Sequence, residues 1–126
     1  MTQGLARAGF DIDLRHGEAG EQAFVHVFLK AKVEHKRDDK CRVTGNVFIE
    51  YKQKGRPSGI AVTTANWWAI EYDEECWVIV PTDRLKALAR QAAKEPRRLV
   101  KGGDNNLYDG VLVPIEWLVR PFKAVG

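Results

Sequence analysis

The chain contains 126 residues, of which 44% are hydrophobic and 29% are charged. This length suits one domain spanning 1–126, and the composition excludes a disordered, collagen-like or low-complexity chain. No apolar run approaches the roughly 18 residues that cross a bilayer, and residues 1–10 lack the basic and apolar blocks of a signal peptide. We therefore expect a cytoplasmic protein with no membrane partner, in which Cys41 and Cys76 are free thiols.

The net charge of +3 is small, but the cations are unevenly distributed. Between Lys30 and Arg56 there are nine Lys or Arg and four acids, and between Arg84 and Lys101 there are seven Lys or Arg and one acid. An acidic stretch, residues 71–75, separates the two blocks. If the fold brings the blocks together, they form a surface that attracts a polyanion; otherwise they are an ordinary solvated surface.

The first predicted elements are a helix and a β-hairpin. Apolar residues at helical spacing predict a helix over 17–32, with Glu21 at the border of its apolar stripe. Residues 32–38 and 47–52 are predicted strands, joined by a turn near residues 42–43. In that hairpin, facing residues have numbers that sum to about 84–86, which sets Glu34 across from Glu50 and Lys52.

The second half of the chain predicts a loop, two further helices and two further strands. Residues 55–59 form a loop, and Thr63 or Thr64 caps a short helix through Trp67, Trp68 and Ile70. The run 76–80 is a buried strand, and Thr82 caps a helix with one apolar side. After a glycine-rich loop at 102–106, a last strand lies near 111–113. This order of elements is that of an α/β sandwich.

The predicted hairpin carries the chemistry. Alternation places Glu34 and Lys36 on one face of the first strand, and Glu50 and Lys52 on one face of the second. Two facing carboxylates, joined by Glu21 from the preceding helix, suit Mg²⁺, and an adjacent lysine supports phosphodiester hydrolysis. The alternative for either Glu-x-Lys copy alone is a row of alternating charges at a solvent-facing strand edge.

At this point the chain resembles the PD-(D/E)XK nucleases, and among them a set of small phage and prophage proteins. The resembling segments cover most of the chain: 11–14, 17–21, 33–38, 44–51, 56–60, 63–67 and 102–104. The resemblance implies an α/β fold with a restriction-endonuclease-like αβββαβ core, a central mixed sheet flanked by helices. It also implies Mg²⁺ or Mn²⁺ as the cofactor and DNA as the substrate.

Carried over by position, the resemblance implies a catalytic set of Glu34, Glu50, Lys52 and Glu21. Glu34 and Glu50 are the implied metal ligands, together with the main-chain carbonyl of Tyr51. The sequence departs from the family pattern because Glu34 stands where the family has Asp, and because Glu34-His35-Lys36 duplicates the Glu-x-Lys motif.

Two assignments therefore stay open. The catalytic lysine is Lys36 or Lys52, and we favour Lys52 because it follows Glu50 on the same strand face. Asp38 is an alternative first acid, although it lies nearer the turn and does not face Glu50 in the predicted register.

The sequence thus predicts a metal-dependent DNA endonuclease, encoded by a phage or prophage and acting in the host cytoplasm. The alternatives are a non-catalytic DNA-binding module and a phage interaction protein on the same fold. Whether two copies pair as a homodimer is left open. The cations predicted to bind nucleic acid are Lys36, Lys54, Arg56, Lys86, Arg90, Arg97, Arg98 and Lys101.

Overall fold

A computed structural model describes residues 20–22 and 31–120. The chain separates into two compact units, Met1–Ala31 and Lys32–Gly126. In the first unit, residues 20–22 are helical and residue 31 is not. The rest of the predicted helix and its apolar stripe lie outside the described residues, and the single domain stays a prediction.

The second unit has a mixed α/β architecture. Its strands are β1 (Val33–Arg37), β2 (Asn46–Gln53), β3 (Arg56–Pro57), β4 (Trp67–Asp73), β5 (Cys76–Pro81), β6 (Leu99–Gly102) and β7 (Tyr108–Pro114). Its α-helices are α1 (Cys41–Thr44), α2 (Thr82–Ala93) and α3 (Ile115–Val119). Single 3₁₀ turns cover Gly59–Ala61, Pro96–Arg98 and Asp104–Asn106.

The described strands form two sheets. One has three strands in the order β1-β4-β5, and the other has four strands in the order β3-β2-β7-β6. The predicted α/β class is therefore confirmed.

The predicted hairpin between β1 and β2 is wrong. β1 pairs in parallel with β4, and this register sets Glu34 beside Trp68. β2 instead lies between β3 and β7 in the other sheet. The apolar strand β4 lies between β1 and β5 and is hydrogen-bonded on both edges. Because β1 pairs with β4, it does not pair with β2.

The pairing of β2 with β7 explains where β2 goes. Val47 lies opposite Val113 and Ile49 opposite Val111, and all four side chains are buried. Removal of these apolar side chains from water favours the pairing of β2 with β7. The last strand, predicted near 111–113, is thus confirmed and is the main partner of β2.

The short helix predicted through Trp67, Trp68 and Ile70 is also wrong, because these residues belong to strand β4. Aromatic and β-branched residues are typical of strands. Trp68 and Ile70 are buried in the core. The signal mistaken for a helix cap is a local turn, in which the Thr63 hydroxyl accepts a hydrogen bond from the Ala65 amide at 3.1 Å.

Strand β5 and helix α2 confirm the predictions for 76–80 and for the helix after Pro81, with two corrections. β5 lies at a sheet edge and is mostly exposed, since Trp77 retains 46% of its accessible surface. Thr82 does not cap α2; it is the first helical residue, and its hydroxyl donates to the Ala65 carbonyl at 2.7 Å.

The predicted apolar side of α2 is buried, as its residues Leu85, Leu88, Ala89 and Ala92 all belong to the core. Both cysteines are free; Cys41 is buried and Cys76 is exposed. Within the described ranges, no helix is long and apolar enough to span a membrane.

Candidate functional site

Glu34 is exposed on β1 and has no ladder contact with β2. The predicted pairing of this carboxylate with Glu50 across a hairpin therefore does not form. Glu21 is exposed and helical in the first unit. Its part in a metal site stays a prediction.

The segment Glu50-Tyr51-Lys52 lies on β2, as predicted, but a bulge interrupts it. Glu50 pairs with Gly110 and Lys52 pairs with Asp109, so Tyr51 is the extra residue. Neighbouring residues of a strand point to opposite faces. Because Gly110 and Asp109 are neighbours, the register puts Glu50 and Lys52 on opposite faces. The expected common face of Glu50 and Lys52 is therefore wrong, although the catalytic role of Lys52 stays a prediction.

The face of Glu50 is shared by Phe48, which precedes it by two residues in the regular part of β2. The Phe48 ring packs on glycines of the neighbouring strands, since a Cβ on Gly110 would lie 2.4 Å from the ring and one on Gly102 would lie 2.9 Å from it. Glycine at both positions therefore makes room for the Phe48 ring.

Lys36, near the end of β1, and Asp38, just after it, both contact Phe48. The Lys36 ammonium lies 5.5 Å from the centroid of the Phe48 ring. Asp38 accepts a hydrogen bond from the Phe48 amide on Oδ2, at 2.9 Å. Lys36 and Asp38 thus contact β2 at Phe48, and Glu50 follows Phe48 by about 7 Å along the strand.

The two carboxylates differ in their surroundings. Asp38 also accepts the Lys40 amide on Oδ1 at 3.1 Å, so both of its oxygens already receive main-chain hydrogen bonds. The Glu50 side chain is half-buried and makes no hydrogen bond or ion pair among the described residues. Glu50 is therefore the carboxylate with both oxygens open to a ligand, and Asp38 is the one whose orientation is fixed.

A groove of about 820 Å³ lies beside Lys36 and Asp38, and Glu50 is not among its lining residues. Lys36, Asp38 and Phe48 line one side, and Lys101, Gly102 and Gly103 line the other. The predicted glycine-rich loop therefore borders the same groove as the end of β1. Main-chain amides and lysines of this kind contact phosphates in nucleic-acid complexes.

The other cations predicted to bind nucleic acid lie in several places. Lys54 and Arg56 line a shallow depression at the β2–β3 turn. Lys86 and Arg90 line a separate pocket against α2. Lys36 of the first basic block and Lys101 of the second therefore share the groove, whereas these other cations lie in separate pockets.

Three of these cations already have acidic partners. Arg97 and Arg98 both bind Glu95, and their hydrogen bonds, that of Arg98 first, hold the pKa of Glu95 below its ordinary value. Lys101 binds Asp109 at 2.8 Å, and this hydrogen bond raises the pKa of Lys101. The charges of this block are thus partly neutralised within the protein.

The residues described contain no group of three or more His, Cys, Asp or Glu placed to hold a metal ion. A Mg²⁺ site needs fewer protein ligands, since one or two carboxylates with waters and substrate phosphates complete the octahedron. Asp38 and Glu50 are carboxylates of the kind that such a site uses.

No protein-family model, curated protein sequence or solved structure matches the chain.

Proposed function

We propose that the protein is a metal-dependent endonuclease that hydrolyses DNA phosphodiester bonds. One observation carries the proposal: Lys36 and Asp38, from the end of β1 and the residue after it, both contact Phe48 of β2, and Glu50 follows Phe48 by two residues on that strand. The proposal includes the finer fold, the restriction-endonuclease-like αβββαβ core, and a phage or prophage origin with action in the host cytoplasm.

In this proposal the roles within the resembling segments change. Asp38 takes the place of Glu34 as the first acid, because Asp38 contacts β2 and Glu34 pairs alongside β4. Lys36 takes the place of Lys52, because the bulge turns Lys52 away from the face of Glu50. Both changes choose alternatives that the sequence leaves open.

Each residue then has a distinct task. Asp38 and Glu50 would hold Mg²⁺ or Mn²⁺, which when bound lowers the pKa of a coordinated water and neutralises charge on the phosphate. Lys36 places an ammonium beside the same face, where it neutralises charge that develops on the phosphate oxygens. The main-chain hydrogen bonds to Asp38 fix the direction of its carboxylate before substrate binds.

The test is cleavage of supercoiled, nicked and branched DNA with and without Mg²⁺. We expect Asp38→Asn, Glu50→Gln and Lys36→Ala each to reduce the single-turnover rate by about 10²-fold or more. The matched control is Asp39→Asn, which changes the neighbouring exposed carboxylate and should leave the rate near that of the wild type.

Two further variants separate the new assignment from the one implied by the resemblance. Glu34→Gln and Lys52→Ala should retain most of the cleavage rate if Asp38 and Lys36 hold the roles. If those two variants lose activity and Asp38→Asn and Lys36→Ala retain it, our assignment is wrong while the nuclease proposal stands.

A second candidate function is a DNA-binding module without catalysis. Its supporting observation is that both oxygens of Asp38 are engaged by main-chain amides, which leaves Glu50 as the one unengaged carboxylate of the two. This candidate predicts salt-dependent binding of DNA with no cleavage in Mg²⁺ or Mn²⁺. A phage interaction protein, in contrast, would show neither cleavage nor salt-dependent DNA binding.

A further inference from the structure

A separate pocket of about 320 Å³ lies between helix α2 and the four-stranded sheet. Its apolar walls come from Ile60, Leu99 and Val111, and Tyr51 contributes an aromatic side chain. The volume falls at the lower end of the range typical of small-molecule sites, about 300–1,000 Å³.

The pocket exists because of small residues on one side of α2. Ala89 and Ala93 both line it, and they are four residues apart, so they lie above each other on one helix face. Neither side chain is long enough to fill the space between helix and sheet. Leu99, on the opposite wall, consequently retains 42% of its accessible surface.

Two cations from the same helix stand at this pocket. Lys86 and Arg90 are also four residues apart, and both line it. Neither side chain has an ion-pair or hydrogen-bond partner among the described residues, whereas those of Arg97 and Arg98 bind Glu95. The described lining contains no carboxylate, so nothing in the pocket wall offsets the two positive charges.

We infer that this pocket binds a small organic anion with an apolar body, such as an aromatic or branched aliphatic sulfonate, carboxylate or phosphate ester. The apolar body would lie against Ile60, Leu99 and the two alanines, and the anionic group would meet Lys86 and Arg90. Apolar contact supplies most of the affinity in such sites, while a few polar groups fix the orientation.

Other ligand classes fit the lining less well. A nucleobase needs several hydrogen-bonding groups to satisfy its polar edges. Among the side chains that line this pocket, Tyr51, Lys86 and Arg90 are the ones that can form hydrogen bonds. A metal cation finds no carboxylate in this wall. The inference does not depend on the proposed nuclease activity, because it uses none of Lys36, Asp38 or Glu50.

Three naphthalene derivatives of similar size test the inference by isothermal titration calorimetry. They are 1-naphthalenesulfonate, the neutral 1-naphthalenemethanol and the cationic 1-naphthylmethylammonium. We expect the sulfonate to bind about fivefold more tightly than the alcohol, the effect of two partly exposed ion pairs. The ammonium compound should bind most weakly.

Two variants locate the binding. Lys86→Ala/Arg90→Ala should remove the preference for the sulfonate over the alcohol and leave the affinity for the alcohol nearly unchanged. Ala93→Leu should weaken all three compounds, because the larger side chain fills the pocket from an exposed position. The matched control is Lys94→Ala, because Lys94 directly follows the last residue of α2 and does not line the pocket. This variant should bind all three compounds as the wild type does.

The inference fails if the sulfonate and the alcohol bind equally, or if Lys94→Ala lowers the preference as much as the double variant does. It also fails if Ala93→Leu keeps wild-type affinity or if no compound binds at millimolar concentration. Thermal unfolding of each variant shows that a loss of binding is not a loss of folding. If an acidic apolar peptide binds and none of the three compounds does, the inference is overturned and the pocket is a site for a protein partner.

Discussion

Gly59 is the residue at which the fold and the candidate site depend most directly on each other. It adopts a left-handed backbone, with φ of +53°, and a Cβ built there would lie 2.4 Å from the main-chain oxygen of Glu50 and 3.1 Å from the Glu50 Cβ. Gly59→Ala should therefore destabilise the protein and displace Glu50 together.

The expected magnitude has two parts. Left-handed backbone costs alanine about 1–2 kcal/mol. The contact with the Glu50 oxygen must lengthen by more than half an ångström, and overpacking of this kind costs about 1–3 kcal/mol. The total loss in the free energy of unfolding is thus about 2–5 kcal/mol.

Gly55 provides the matched control, since its φ is +77° and no atom lies within 4 Å of a Cβ built there. Gly55→Ala should lose only the backbone part, about 1–2 kcal/mol. The two variants are compared by urea unfolding, in which small proteins lose about 1–3 kcal/mol of stability per molar urea. Gly59→Ala should unfold at a clearly lower urea concentration than Gly55→Ala.

Equal unfolding midpoints for the two alanine variants would refute the steric argument, because the backbone cost alone would then account for both. The cleavage assay adds a second readout. Under the proposed function, Gly59→Ala should lose activity at temperatures where it is still folded, while Gly55→Ala should keep it.

Three further predictions concern packing, thiol reactivity and pH. Gly110→Ala should destabilise the protein less in a Phe48→Ala background than in the wild type, because the added methyl group disturbs a contact with the Phe48 ring. A double-mutant cycle of unfolding free energies measures this difference, and additive values would contradict the prediction. Cys76 should react with Ellman's reagent in the folded protein, whereas Cys41 should react only on unfolding, because burial first and the Asp38 charge second raise the pKa of its thiol. Since the pKa of Glu95 is lowered in the folded state, its ion pairs add stability above the ordinary pKa of a glutamate, and this stability is lost as the pH falls through the lowered pKa. The difference in unfolding free energy between the wild type and Glu95→Gln should accordingly shrink on acidification, and a difference that grows would contradict the assignment.

The elements that could be predicted from the sequence are those with strong local signals. Helix α2 has a clear apolar side, and strands β5 and β7 are short β-branched runs bounded by proline or glycine. Strand β4 is mistaken for a helix because Thr63 and Thr64 are of a residue type that caps helices, whereas here the Thr63 hydroxyl closes a turn before a strand. A local hydrogen bond of this kind can precede a helix or a strand, so it does not distinguish between them.

Strand partners could not be predicted. Alternation along a strand tells which residues share a face, but it does not tell which strand lies alongside. β1 pairs with β4, more than thirty residues later, in preference to β2, which is the next strand in the chain. The bulge at Tyr51 is equally invisible in the sequence, although it decides that Lys52 and Glu50 point to opposite faces.

The turn at the closed end of the predicted hairpin does form, although no pairing between β1 and β2 follows it. The Cys41 amide donates to the Asp38 carbonyl at 3.2 Å, and Gly45 takes a left-handed conformation with φ of 75°, so the chain turns back within a few residues. The Asp38 carboxylate consequently accepts a hydrogen bond from the Phe48 amide, which is a side-chain contact and not a ladder pair. Beyond this point the strands part, because each pairs with another strand. A carboxylate at the closed end therefore stays beside β2, whereas Glu34, four residues earlier on β1, lies alongside β4.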